Sequence, residues 1–357
     1  MQKKLLTMAV ASALAVPAVA FAQVTVYGTI DTGLRNQSKV YTGVGTDDSQ
    51  LQVTDGLRTT NRWGLKGSED LGGGLMANFT LEGQYGSDTG AMGSGATAVT
   101  PLAPSTVNSI NANQGLFQRK AIVGLSKGGN SVDLGRDYTV NFKANGVMDP
   151  MSFSYTGLST TAGATFTAGT RSSNLITAGF RFGTGGVRVD YAAGEAVGAG
   201  VASNDRLGFG ADFAFGPVTV AGAFSTQETA VNVDTTTTNL GVVYAMGAFT
   251  FRGGVNMRDI DLGNEDSQWM FGVQYGFSPT LNGRIGYYNW STDSAAGVEL
   301  GTKKVLIVAV DYYLSKRTTA YAAFDRQNFT GNQIGTTVGT SLVDGATGIA
   351  VGIAHSF

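Results

Sequence analysis

Gly348-Ile349-Ala350-Val351-Gly352-Ile353-Ala354-His355-Ser356-Phe357 reads as a strand with two unlike faces. Ile349, Val351, Ile353, His355 and Phe357 share one face, and Gly348, Ala350, Gly352, Ala354 and Ser356 share the other. Period-two alternation marks extended backbone, because successive side chains point to opposite sides. In water, an apolar strand face ending on a bare aromatic would invite aggregation. The pattern makes sense if the solvent on that face is lipid.

The other end agrees. Lys3 and Lys4 form a basic start, Leu5 to Val16 is apolar, and Ala20-Phe21-Ala22 has the small-x-small form of a cleavage site. These features predict a signal peptide over residues 1–22 and a mature domain over 23–357. The apolar run is too short for the roughly 20 residues of a membrane helix. Without Lys3 and Lys4, 22 of the 24 basic side chains remain against 26 acidic ones. That balance argues against a nucleic-acid partner, which would select a basic surface. Cysteine is absent, so disulfides and thiolate metal sites are excluded. His355 is the one histidine, which removes multi-histidine metal sites and a Ser-His-Asp triad elsewhere in the chain. No cofactor, metal site or enzyme activity is expected. The acidic stretch 259–266 lacks the spaced Asp/Asn pattern of a calcium loop, and the sequons at Asn78 and Asn328 read as coincidental.

Alternation recurs along the chain. Leu207, Phe209, Ala211, Phe213 and Phe215 oppose Arg206, Gly208, Gly210, Asp212 and Ala214. Trp269, Phe271, Val273, Tyr275 and Phe277 oppose Gln268, Met270, Gly272, Gln274 and Gly276. A soluble sandwich and a membrane barrel share this pattern with opposite facing. Three features favour the barrel. The polar faces carry glycine, alanine and single charges, as a lumen would. Tyr27, Tyr85, Trp269, Phe277, Tyr312 and Phe357 fall near strand ends, as an interfacial girdle would. Connections also alternate in length. Tight turns at 69–74, 127–130, 183–186, 216–217, 246–247, 278–280 and 315–317 carry Gly, Pro, Asn or Ser. Long polar segments at 37–57, 87–115, 137–169, 196–204, 229–238, 259–267, 291–303 and 329–346 lie between them. Short turns at one rim and long loops at the other predict an all-β, sixteen-stranded antiparallel transmembrane barrel. Such a barrel is wide enough for an aqueous channel. The last strand should close it by pairing with residues 24–30.

Gln23–Gly28 with Asp31, the run Arg62-Trp63-Gly64-Leu65-Lys66-Gly67-Ser68-Glu69-Asp70-Leu71-Gly72, Leu134-Gly135-Arg136 and Tyr313-Leu314-Ser315-Lys316-Arg317-Thr318 resemble the general bacterial porins. The ending His355-Ser356-Phe357 resembles the β-proteobacterial branch. The resemblance spans the mature chain. It implies a homotrimer in the outer-membrane lipid of a Gram-negative bacterium, passing ions and small hydrophilic solutes. It also implies a third external loop folded into the lumen as a constriction. Phe357 would be the signal read by the barrel-assembly machinery.

A constriction sorts solutes by fixed charge. Within 62–66, Trp63 and Leu65 face one way, so Arg62 and Lys66 face the lumen. The resemblance places pore-wall arginines at Arg62 and Arg119 and a further arginine just after the loop at Arg171. The parity of Arg119 is ambiguous, since Ala121, Val123 and Leu125 share its face. Arg136 shares parity with Val132 and Leu134 and points outward unless the chain bends there. On the third loop, Asp137 and Asp149 are the acidic candidates. A Pro-Glu-Phe-Gly type motif is missing; Asp149-Pro150-Met151-Ser152-Phe153 is the nearest stretch. By parity, Arg35, Arg62, Lys66, Arg119, Arg188, Arg206, Arg252, Arg258 and Arg284 face Asp31, Glu82, Asp190, Asp212 and Asp311 in the lumen. That excess predicts a passive, weakly anion-selective diffusion channel. A barrel enzyme would need a nucleophile with a base, and none is visible. A substrate-specific channel would show an aromatic slide or a lysine cluster on a loop, and neither is evident.

Overall fold

The structure is a computed structural model that describes residues 23–40, 48–93, 115–155, 166, 168–194, 205–230, 233–331 and 345–357. The expected signal peptide, 1–22, lies outside the described residues, as do most of 87–115, 196–204 and 329–346. Seventeen strand segments form one antiparallel sheet: β1 (Thr25–Val40), β2 (Asp48–Asp55), β3 (Arg62–Gly72), β4 (Leu75–Gln84), β5 (Lys120–Lys127), β6 (Asn130–Tyr138), β7 (Arg171–Phe182), β8 (Gly185–Ala192), β9 (Arg206–Phe215), β10 (Val218–Ala230), β11 (Val233–Met246), β12 (Phe249–Ile260), β13 (Glu265–Ser278), β14 (Leu281–Asp293), β15 (Glu299–Tyr313), β16 (Thr318–Phe329) and β17 (Gly345–Ser356). One helix, α1 (Val140–Met148), follows β6.

β1 explains how seventeen segments make sixteen staves. Its residues Thr32–Val40 pair with β2, and Thr25–Thr29 pair with β3. β2 and β3 are therefore two halves of one stave, interrupted at residues 56–61. β1 also pairs with β17, which closes the ring. The closing register runs from Thr29↔Ser356 to Gln37↔Gly348. It is thus displaced toward the far end of β1 from the 24–30 pairing read in the sequence. Gly28 and Phe357 complete the seam by exchanging two backbone hydrogen bonds, both 3.1 Å. Closure leaves no unpaired edge, which lipid could not satisfy.

The outer face is the apolar one. Leu34, Val123, Phe209, Trp269, Phe271, Phe277, Tyr312, Ile349 and Val351 all stand exposed on it. Two members of the expected girdle do not belong. Tyr27 points inward and donates its hydroxyl to Glu82 at 3.0 Å. Tyr85 is half-buried and donates to the Thr29 carbonyl at 3.1 Å.

The strands also run further than the sequence suggested. β2 occupies much of the expected loop 37–57. β10 and β11 pair across most of the expected loop 229–238, as Thr226↔Thr236 and Gln227↔Thr235. β12 and β13 likewise absorb most of 259–267, and β14 and β15 extend into 291–303. Beyond the lipid band both faces of a strand meet water, so the apolar alternation fades while the hydrogen-bond ladder continues.

The segment after β6 turns inward. Gly135 adopts φ +127°, a backbone conformation that favours glycine, and the β6–β7 register shifts between Gly135 and Asp137. Thr139 caps α1 by accepting the Phe142 N–H at 3.1 Å. The helix N-terminus meets a wall carboxylate: the Val140 N–H donates to Asp190 at 2.8 Å. Asn141 then starts a ladder of amides across the inner wall, donating to Asn239, which donates to Asn256, which donates to Gln268, each at 2.8 Å. Glycines on the wall make room for the loop. A Cβ at Gly254 would lie 2.7 Å from Met148 Sδ, and one at Gly272 would lie 2.6 Å from Pro150. Past the helix, Met148, Met151 and Tyr155 join Leu57, Tyr288, Val305 and Ile307 in one buried apolar cluster inside the barrel.

A buried ion pair crosses the seam. Arg35 on β1 donates to both carboxylate oxygens of Asp325 on β16, at 2.5 and 3.0 Å, with both side chains fully buried. The pair lies over Gly348 of β17, where any Cβ would collide with it. Tyr321 makes a second crossing, donating to Asp31 at 2.7 Å over Gly352. Asp325→Ala leaves Arg35 buried and unpaired, which costs roughly 3–5 kcal/mol. The expected outcome is a lower denaturant midpoint for the folded barrel, read by the loss of compact migration on unboiled gels.

Candidate functional site

β1, β3, β4 and β5 bring polar side chains to the inner wall opposite the surface that holds α1. An open cavity of about 590 Å³ lies there, lined by Tyr27, Thr29, Arg62, Lys66, Thr80, Glu82, Lys120 and Tyr138 among others. Glu82 is its hub. It accepts from Arg119 Nε at 2.6 Å and from the Tyr27 hydroxyl at 3.0 Å, and Arg62 Nε stands at 4.0 Å. Arg119 is buried and also donates to Gln84 at 3.1 Å and to the Tyr138 hydroxyl at 2.7 Å. Arg171 donates to the same hydroxyl at 2.8 Å and lies over the Tyr138 ring, 4.4 Å from its centre. Lys66 Nζ sits 5.1 Å from the centre of the Tyr27 ring. Both contacts are cation–π arrangements.

Arg62, Lys66, Arg119 and Arg171 thus converge on one stretch of wall. Arg119 faces inward despite its parity, because it precedes Lys120, the first ladder residue of β5, where the alternation has not yet begun. Arg136 is different. The bend at Gly135 leaves it half-buried, donating to the Gln118 carbonyl at 2.6 Å and to Ser173 at 2.9 Å, away from the cavity. It anchors the base of the loop.

The acidic candidates are both engaged. Asp137 bridges Lys120 at 3.2 Å and Lys143 at 3.0 Å. Asp149 is fully buried and does not border the cavity. It accepts the backbone N–H of Met151 at 3.1 Å and of Phe153 at 2.9 Å, and the Tyr288 hydroxyl at 2.9 Å. It closes the end of α1 and ties it to β14, so it supplies no acidic wall. At the end of the loop, the Tyr155 N–H donates to the Arg58 carbonyl at 2.8 Å and its hydroxyl to Asp311 at 2.9 Å. Burial pushes this phenol far above its ordinary range, and the Asp311 carboxylate adds to the rise.

The parity count of lumen charges left out several ion partners. Asp325, and Asp266, which sequence placed in a loop, also face inward. They pair with Arg35 and Arg258. Arg206 pairs with Asp190, Arg188 with Asp212, and Arg284 with Asp311. At the cavity, Arg119 holds Glu82 and Asp137 holds Lys120, which leaves Arg62 and Lys66 as its cations in excess. Sequence reasoning missed Tyr27, Tyr138 and Lys120 as site residues. Strand parity would have found Tyr27 and Lys120, which share the inward face with Asp31 and Gly124. Nothing in the sequence marks Tyr138, whose position follows from the bend.

The Gram-negative porin family model matches residues 8–332. An outer membrane porin protein of Bordetella pertussis is 31% identical over 201 residues, covering 52% of this chain and 48% of that protein. Outer membrane porin protein 32 of Delftia acidovorans is 35% identical over 137 residues, covering 38% and 32%. The matches therefore span about half or less of the length of these curated relatives. Among solved structures, the anion-selective porin from Comamonas acidovorans superposes with a TM-score of 0.75 at 25% identity, covering 94% of this chain and 100% of that one. OmpF of Salmonella typhi gives 0.65 at 16% identity over 94% and 98% of the chains, which speaks for the fold alone.

Two carboxylates of the loop separate by experiment. Asp149→Ala strands two backbone donors and the Tyr288 hydroxyl, a loss of about 1–3 kcal/mol per unsatisfied group. It should lower thermal stability while leaving the reversal potential in a salt gradient unchanged. Asp137→Asn releases the charges of Lys120 and Lys143 and should shift that potential toward anions.

Proposed function

The chain belongs to the Gram-negative porin family, and from that footing we propose that it is a passive, water-filled channel for ions and small hydrophilic solutes, weakly selective for anions. Its place is the outer membrane of a Gram-negative bacterium, and its relatives are channels rather than enzymes. The observation that carries the selectivity is the cavity lining: two cations, Arg62 and Lys66, beside one carboxylate that Arg119 already neutralises, while Asp137 holds Lys120. The description of the Comamonas acidovorans neighbour as anion-selective supports the same sign.

In this reading Arg62 and Lys66 form the cationic wall of the constriction, with Arg119 and Arg171 behind them. Guanidinium suits that crowding, because it stays charged beside other cations. Water in the cavity solvates passing ions while the fixed charges bias the sign of what enters. The segment carrying α1 narrows the lumen from the opposite side. The working unit is a homotrimer, with outer-membrane lipid against the apolar face. Phe357 is the signal read by the assembly machinery. Its ring lies against Gly28 on the outer face, and its backbone pairs with β1 only once the ring is closed.

The decisive measurement is the reversal potential of single channels in a potassium chloride gradient. Anion preference is expected, and a cation preference overturns the reading. Glu82→Gln should strengthen the preference and Lys66→Glu should weaken or invert it. The preference should fade between 0.15 M and 1 M salt, as the screening length falls from about 8 Å to about 3 Å. Deleting Phe357 should reduce the assembled barrel in the membrane while export continues; undiminished assembly removes the signal role.

A further inference from the structure

Tyr138 stands at an unusual junction. Its single oxygen accepts hydrogen bonds from two guanidinium groups, Arg119 Nη2 at 2.7 Å and Arg171 Nη2 at 2.8 Å. Its ring has two close neighbours. Arg171 covers one face at 4.4 Å, and Phe142 of α1 stacks on the ring with centres 4.3 Å apart and planes within 5°. Phe153, beyond the helix, continues the stack at 4.5 Å from Phe142. A row of four groups thus runs from the arginine wall to the inward loop, and Tyr138 is where wall and loop meet.

Tyr138 also lines the cavity. A phenol has one hydrogen to donate and two lone pairs. Both acceptor positions are taken by the arginines. Among the described residues the hydroxyl hydrogen has no acceptor, so it is the donor left for whatever occupies the cavity. Two cations on the oxygen polarise the O–H bond and strengthen that donation.

Resting on the anion-channel reading above, we propose that Tyr138 is a specificity-determining residue: its hydroxyl fixes the Arg119 and Arg171 guanidinium groups at one point and presents a single hydrogen-bond donor to carboxylate anions in transit. The wall charges attract any anion. The oriented donor favours those with a directional oxygen acceptor over a spherical halide. Carboxylate oxygens accept such a bond along defined lone-pair directions. Chloride gains less from one fixed donor, because it is solvated equally from every side. Arg171 depends on the hydroxyl most, since this is the one hydrogen bond of its guanidinium among the described residues, whereas Arg119 retains Glu82 and Gln84.

The test compares the whole channel with Tyr138→Phe, which removes the oxygen and keeps the ring, the stack on Phe142 and the contact with Arg171. Three quantities are read: compact migration on unboiled gels, the reversal potential in a potassium chloride gradient, and the acetate-to-chloride permeability ratio under bi-ionic conditions. Unchanged migration is expected, and the chloride potential should move far less than the acetate-to-chloride ratio, because no charge is removed. The acetate-to-chloride ratio should fall about five-fold, the loss of roughly one hydrogen bond. Current noise should rise as Arg171 is released. An unchanged ratio overturns the proposal, and so does a chloride potential that shifts in step with the ratio, which would assign the effect to displaced charge. If Tyr138→Phe fails to assemble, Arg171→Lys supplies the second arm. It keeps the charge and loses the planar fork, and the proposal requires the same fall in ratio. A wild-type channel that prefers cations would defeat the underlying reading instead, so the two failures are distinguishable.

Discussion

Hydrocarbon offers no hydrogen-bond partner to a peptide group, and every other feature of this molecule follows from that constraint. The sheet must close, so β1 pairs with β17. A closed sheet of this width has an inside, and the inside must hold what the lipid face rejects. Charges therefore concentrate on the inner wall, where they pair across strands or face water. The ring also fixes which contacts are possible. Arg35 and Asp325 are 290 residues apart and meet because the closing strand between them carries a glycine.

The alternation of apolar and small residues was legible because lipid and lumen differ sharply over the membrane band. Trp269, Phe271 and Ile349 were read outward, and they are outward. The reading failed where that contrast ends. The threonine-rich start of β11 lies where both faces are polar, and β2 offers only Leu51 and Val53 as an apolar face, so little in the side chains announces a strand. It failed again where the backbone departs from period two. Gly135 and the shift beside it bring Tyr138 to the cavity, on the face that parity denies it. Arg119 lies just outside the ladder, and parity does not apply to it.

The site was legible in its cations more than in its partners. Arg62 and Lys66 follow from the face opposite Trp63 and Leu65. The role of Asp149 does not, because a carboxylate on an inward loop and a carboxylate closing a helix look alike in sequence. Only the backbone donors of Met151 and Phe153, and the hydroxyl of Tyr288, distinguish them. The parity count left out acidic partners: Asp325 and Asp266 face inward and pair with Arg35 and Arg258, while Arg62 and Lys66 stay in excess at the cavity.

The glycines beneath the inward loop carry a consequence for how such barrels diverge. Met148 rests on Gly241 and Gly254, and Pro150 and Met151 rest on Gly272 and Gly286. Wall and loop are cast and mould, although they lie about a hundred residues apart in the chain. The loop is consequently not a module that can be exchanged alone. A transplanted third loop with different side chains would meet sockets cut for these, and a wall that regained its Cβ atoms would expel this one. Inheritance of pore shape in such a barrel is joint: changes on β11–β14 and changes around α1 have to travel together.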